Sequence, residues 1–188
     1  MDDPFHARVL ARIWQKLADA LAGPGDPWRT AVVATAGPSA RILVLRAVDP
    51  VAATVDFHTD ARSAKVAQLS ADPRAEWVFW EPRVKEQLRL ATTATVHRDD
   101  ALAEAAWAAL PPQAWREYAS VAPPGHAVDE LAQAHARETV QAAARANFAV
   151  VRCAIQRMDW MQVGPAAEHQ RIRFEPGEAG FRGRWLVP

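Results

Sequence analysis

A single cysteine, Cys153, stands among the 188 residues, so no internal disulfide can form and a reducing, cytoplasmic setting is the default expectation. Glycine is scarce, 8 residues in all, and none falls in a G-x-G-x-x-G or P-loop run, which removes a Rossmann seat for NAD. Charge of one sign is lacking too. The 22 basic residues balance the 22 acidic ones, so no overall field draws the chain onto nucleic acid or an anionic membrane. No apolar run approaches the ~20 residues that span a bilayer, and Met1-Asp2-Asp3-Pro4 lacks the basic and apolar regions of a signal peptide. The six histidines, at 6, 58, 97, 126, 135 and 169, make no H-E-x-x-H or other short pair, and no metal site is expected. Cys153 itself lies in the apolar run Val150-Val151-Arg152-Cys153, where an inert buried thiol is the expectation.

What is present is enough for one core. Half of the residues are hydrophobic, and a chain of this length fits one domain, residues 1–188. Phe5, Val9, Ile13, Leu17 and Leu21 recur every four residues, which predicts an amphipathic helix over 4–22, ended by Gly23-Pro24-Gly25. Short strands are expected at about 28–36, 40–48, 54–59, 75–81, 84–97, 148–163 and 169–175, with a final run over 181–187. A helix is expected at 61–71, stopped by Asp72-Pro73. Alanine-rich segments 99–118 and 127–146 predict a helical insertion over about 99–146, interrupted by Pro111-Pro112 and Pro123-Pro124-Gly125. Sequential strands with one inserted helix favour an antiparallel, barrel-centred α+β fold. A partly open barrel leaves edges and apolar surface to cover, and a homodimer is the usual solution. Most of the eight tryptophans, Trp77, Trp80 and Trp107 among them, are expected to fill the core.

The segment Phe57-His58-Thr59-Asp60-Ala61-Arg62-Ser63-Ala64-Lys65 ends a β-like run with hydroxyls, a potential helix cap and a cation. A helix begun at or near Asp60 would offer free N–H groups and its positive dipole end to an anion, with Ser63 and Lys65 adding donors. Upstream, Arg41 and Arg46 bracket the apolar run Ile42-Leu43-Val44-Leu45, read as a buried strand after the Gly37-Pro38-Ser39 turn. Downstream, Val84, Leu88, Leu90 and Val96 are expected on one face of a strand and Gln87, Arg89, Thr93 and Thr95 on the other. Taken singly, these residues equally suit an ordinary capped helix, strand-end charges or a solvated sheet surface.

In order and spacing, R-x-x-x-L-R at Arg41–Arg46, F-x-T-D-x-x-S-x-K at Phe57–Lys65 and Q-L-R at Gln87–Arg89 resemble the pyridoxamine 5'-phosphate oxidase-like superfamily of FMN-binding split barrels. His169-Gln170-Arg171 resembles the H-D-R segment of that family, and Trp185-Leu186-Val187-Pro188 a shortened form of its terminal W-x-x-L-x-P run. The resemblance covers about residues 28–188. It implies an antiparallel split barrel with flanking helices, binding FMN at a homodimer interface. Arg41, Ser63 and Lys65 would then meet the flavin phosphate, Ile42, Leu43, Val44 and Leu45 would lie along the ring, and Thr59 would contact the flavin. Gln87, from the other subunit, and Arg171 would reach the ring. Arg46 takes the place of the usual lysine, His58 that of an aromatic neighbour, and Ala64 that of a frequent arginine. The family pattern also has breaks here. Ala167 replaces a substrate-binding arginine, and of Y-F-x-x-R-P-x-x-S only Pro111 survives, with Ala106, Trp107, Leu110 and Ala114 at the other sites; Thr92 stands where glycine is frequent. An unpaired substrate phosphate would be costly to desolvate, so pyridoxine 5'-phosphate is not the expected substrate.

Two functional classes follow. One is an FMN-dependent oxidoreductase acting on a small organic donor, with Arg46 and Arg171 facing the reactive side and His169 a candidate substrate contact or proton donor. The other is a non-catalytic protein that holds flavin, or haem with His58 as ligand, on the same barrel.

Overall fold

The computed structural model describes residues 3–37, 39–165, 168–178 and 180–188; the turn residue Pro38 and the substituted position Ala167 lie outside them. Helix α1 (Pro4–Ala22) is followed by a 3-10 turn (Pro27–Arg29) and strands β1 (Thr30–Thr35), β2 (Ser39–Val44), β3 (Ala47–Asp49) and β4 (Thr54–Asp60). Helix α2 (Ala64–Ala71) leads to β5 (Arg74–Glu81) and β6 (Glu86–His97). The insertion holds α3 (Ala101–Ala108), a second 3-10 turn (Ala114–Tyr118), α4 (Leu131–Ala134) and α5 (Gln141–Asn147), before β7 (Phe148–Gln162), β8 (Gln170–Gly177) and β9 (Gly180–Trp185). All pairings are antiparallel, in the order β2-β1-β5-β6-β7-β4-β3, and β8 and β9 extend from β7.

The two ends of that order are one piece of chain. The expected strand 40–48 breaks at Leu45-Arg46, where the Leu45 N–H donates to the Arg29 carbonyl (2.9 Å) and the Arg46 N–H to the Asp56 carbonyl (2.8 Å). Residues 39–44 therefore pair with β1 and 47–49 with β4, so the sheet curls back on itself. The reading of 41–46 as a buried strand is corrected: β2 alternates, and Ile42 is 70% exposed while Leu45, at the bend, is fully buried.

Inside the curl, Val33, Val55, Phe57, Trp77, Phe79, Leu88, Leu90, Cys153 and Trp160 form the core, against which α1 lays Val9, Ile13, Leu17 and Ala20. The expected stripe at every fourth residue drifts about 40° per step relative to 3.6 residues per turn. Its end members Phe5 and Leu21 are thereby only half-buried, and His6 and Ala20 take the inner positions. Asp3 caps α1 by accepting the Phe5 N–H (2.8 Å), and Arg29 donates to the last-turn carbonyls of Ala20 and Leu21. Trp77 is fully buried as expected, whereas Trp80 faces outward and is 45% exposed.

The insertion is less helical than its alanine content predicts. Of 127–146 only 131–134 and 141–146 are helical, because propensity without an apolar stripe leaves nothing to bury. What holds the insertion is a small second core of Tyr118, Ala119, Ala144, Phe148 and Val150, flanked by Leu102, Trp107, Leu110 and Trp115. Among the described residues no helix is long and apolar enough to cross a membrane.

Candidate functional site

The helix after β4 begins at Ala64, not at Asp60. Asp60 is engaged in a tight turn instead, its carboxylate accepting the Arg62 N–H (2.8 Å) and the Arg62 side chain. Ser63 takes the N-cap position of α2, yet its hydroxyl makes no capping bond and lies 3.3 Å from the Thr59 hydroxyl. The Lys65 ammonium donates to the same Thr59 oxygen (3.1 Å). Thr59 is inward-facing on β4, two residues past Phe57 on the same face, so three donors meet at the rim of the curl above α2.

Arg41 reaches this rim from β2. Its guanidinium is held by the Thr35 hydroxyl (2.9 Å), the Ser39 hydroxyl (2.6 Å) and the Gln68 side-chain oxygen (3.0 Å). Burial, and then the neighbouring Arg41 charge, push the Lys65 ammonium below the ordinary lysine range, with Asp60 opposing. Two cations brought within electrostatic reach of each other, with Asp60 already paired to Arg62, make a seat that is incomplete without an anion. The residues thus fit a phosphate monoester on their own chemistry: a planar fork, a point charge and two hydroxyls. Of the sequence-derived set, Arg41, Thr59, Ser63 and Lys65 converge; Ala64 is exposed on the first turn of α2 and offers no side-chain donor.

Arg46 and His58 form a neighbouring pair on the outer side. Burial first, and the Arg46 charge second, lower the His58 pKa to about 4. Its ring meets the Phe148 ring edge-on at 5.0 Å, and its Nδ1 is buried without a hydrogen-bond partner. Tyr118 packs on the same Phe148 ring at 4.9 Å, and burial raises its phenol to about 12 despite the opposing Arg46 charge. Tyr118 was missed in the sequence, although it is the one tyrosine of the chain. His58 is therefore neutral at physiological pH. A depressed histidine pKa gives stability that is full above the unfolded value near 6.5 and is lost as pH falls toward 4. Discounted for the partial exposure of the ring, the loss is on the order of 1–2 kcal/mol. Thermal melts of His58→Phe between pH 7 and pH 4.5 are expected to fall less steeply than those of the parent; equal slopes would reject this assignment.

Gln87 and Arg171 lie elsewhere. Gln87 sits on the outer face of β6, in register with Trp80 and Met161, on a sheet surface that also carries Val32, Ile42 and Val78. Arg171 is clamped by Asp159 through two bonds of 2.9 Å, and His169 is exposed just before β8. Val84, expected on the same strand face as Leu88 and Leu90, lies before β6 and is 47% exposed. Thr92 is buried at a register shift between β6 and β7 and donates to the Ala75 carbonyl (2.9 Å). Cys153 is fully buried, and burial raises its thiol to about 12, as suits an inert side chain.

Residues 14–98 match the family model described as pyridoxamine 5'-phosphate oxidase, FMN-binding domain. A pyridoxamine 5'-phosphate oxidase-related, FMN-binding protein from Nostoc punctiforme PCC 73102 superposes over 99% of this chain and 98% of its own, with TM-score 0.75 and 19% identity. PhzG from Burkholderia lata 383, solved with tetrahydrophenazine-1-carboxylic acid, covers 97% of this chain and 92% of its own at TM-score 0.73 and 20% identity. General Stress Protein 26 from Bacillus anthracis is more distant, with TM-score 0.51 and 11% identity over 79% of this chain and 93% of its own. No curated protein matches the chain in sequence.

Proposed function

We propose, from the split-barrel fold and the match of residues 14–98 to the pyridoxamine 5'-phosphate oxidase FMN-binding domain, that this chain is an FMN-dependent oxidoreductase acting on a small organic donor. The observation that carries the reading is the rim where Arg41, Lys65, Thr59 and Ser63 meet, with neither cation in an ion pair among the described residues. Arg41 and Lys65 would neutralise the phosphate, and the outward side chains of Ile42 and Val44 would offer an apolar floor to the ring. Bound FMN would supply two-electron transfer from donor to oxygen or another acceptor. Arg46 and neutral His58, beside that floor, would orient the donor: a fixed cation for an anionic group, and an uncharged ring that can accept or donate one hydrogen bond.

The same reading makes the protein a homodimer. The outer sheet surface bearing exposed Ile42, Val32 and Trp80 also bears Gln87 and Arg171, so a second copy covering it would present those two groups to the flavin of the first. Purified protein is expected to be yellow, to release FMN on denaturation, to bleach with a reductant and to run at twice the 20.6 kDa chain mass. Oxygen-dependent turnover with a panel of amines, alcohols and aromatic carboxylates separates an enzyme from a flavin store. A colourless monomer that takes up no FMN sinks the proposal, and a Soret band would move it to haem.

A further inference from the structure

Arg62 does more than pair with the residue two before it. While its Nε and Nη2 hold both oxygens of Asp60 (3.0 and 2.7 Å), Nη2 also donates to the Ser120 carbonyl (2.8 Å) and hydroxyl (3.1 Å), and Nη1 to the Val121 carbonyl (3.0 Å). The acceptors belong to the insertion, some sixty residues along the chain. The Glu138 carboxylate adds to the Asp60 charge in favouring the charged guanidinium, and Glu138 is tied back to Ala119 by its N–H (2.6 Å) beside the Ser120–Arg137 bridge. A second tie runs in parallel: the Ala61 N–H donates to the Asn147 carbonyl (2.6 Å), and the Asn147 side chain to the Tyr118 carbonyl (2.9 Å).

On the other side, the loop is stiff as far as the anion seat, because the Ser63 N–H donates to the Asp60 carbonyl (3.0 Å) and the Val66 N–H to the Ser63 carbonyl (2.9 Å). Most of 121–143 is exposed, and a segment with so little buried surface takes its order from its ties. We propose that Arg62 is a positioning residue that locks the helical insertion to the anion seat, so that filling the seat orders residues 118–138 around Tyr118, next to Arg46 and His58. This rests on the anion seat of the proposed function. Any anion that immobilises Ser63 and Lys65 would fix Asp60 and Arg62, and by linkage a fixed insertion tightens the seat by the same factor. Only a planar fork reaches the carboxylate and three insertion oxygens together, so lysine is not a substitute.

The test is amide exchange on the full chain, free, with FMN and with excess inorganic phosphate. In the parent protein either ligand is expected to slow exchange over 119–138 by about fivefold or more. Arg62→Lys and Arg62→Ala are expected to abolish that slowing and to weaken FMN binding about tenfold, while the barrel amides of β5, β6 and β7 stay protected. Ligand binding to the parent protein without slower exchange in the insertion overturns the lock, even if a variant fails to fold, and so does slowing that survives in Arg62→Lys. If phosphate slows the insertion but FMN does not bind, the flavin reading falls and the lock stands. If neither ligand binds, both fall.

Discussion

Lys65→Ala is expected to raise the FMN dissociation constant about ten- to a hundredfold, the range of one hydrogen bond to a charged group, with little change in thermal stability. The Lys65 side chain makes a single hydrogen bond, to Thr59, and burial together with Arg41 already disfavours its charge. Removing it relieves a repulsion in the empty protein and deletes an attraction in the loaded one. Arg41→Ala should lose a similar factor in affinity and also about 1 kcal/mol of stability, since its guanidinium joins Thr35, Ser39 and Gln68. Fluorescence titration with FMN, alongside melts of the apoprotein, measures both quantities. Unchanged affinity in both variants would reject the anion seat.

Glu86→Ala is expected to cost about 3 kcal/mol, a fall of about 6–12 °C in melting temperature for a chain of this size. Glu86 is 2% exposed and gathers three donors: Arg12 (3.1 Å) and Lys16 from α1, and the fully buried Trp160 indole (2.5 Å) from β7. Its loss unpins α1 from the barrel and leaves the indole N–H unsatisfied. The partial exposure of Arg12 and Lys16, 47% and 26%, lets them rehydrate and keeps the cost at the low end of the range for a broken buried pair. Burial would raise the Glu86 pKa, but the donors from Lys16 and Trp160 win and lower it. Its contribution is thus present above the unfolded value near 4.5 and is lost as pH falls below it. A melting temperature within 2–3 °C of the parent, about 1 kcal/mol, would show that the hub is incidental.

Much of this protein can be read from its residues because local chemistry and tertiary placement agree. The α1 stripe, the alternation of β6 and the grouping of Thr59, Ser63 and Lys65 each follow from periodicity or from short spacing. Arg41 joins them only through the pairing of β2 with β1, which spacing alone does not dictate; the family resemblance supplied that link. What could not be read was decided at long range. The break at Leu45-Arg46 depends on two carbonyls, of Arg29 and Asp56, in different strands. Alanine content favoured helix over 127–146, but with no apolar face the chain takes turns instead. Glu86 and Arg62 look like ordinary surface charges until α1 and the insertion fold against them, 70 and 58 residues away. The family pattern often has arginine where this chain has Ala64; the Arg62 guanidinium two residues earlier serves the insertion.

The bend at Leu45-Arg46 separates foundation from tool. Leu45 is plugged into the core and the two amides are spoken for by opposite ends of the sheet, so the mount is rigid and intolerant of change. Arg46, carried on that mount, is solvent-exposed, and among the described residues its side chain enters no hydrogen bond or ion pair. Swapping the residue at 46 is therefore expected to change the charge felt by His58 and Tyr118 while leaving the framework intact.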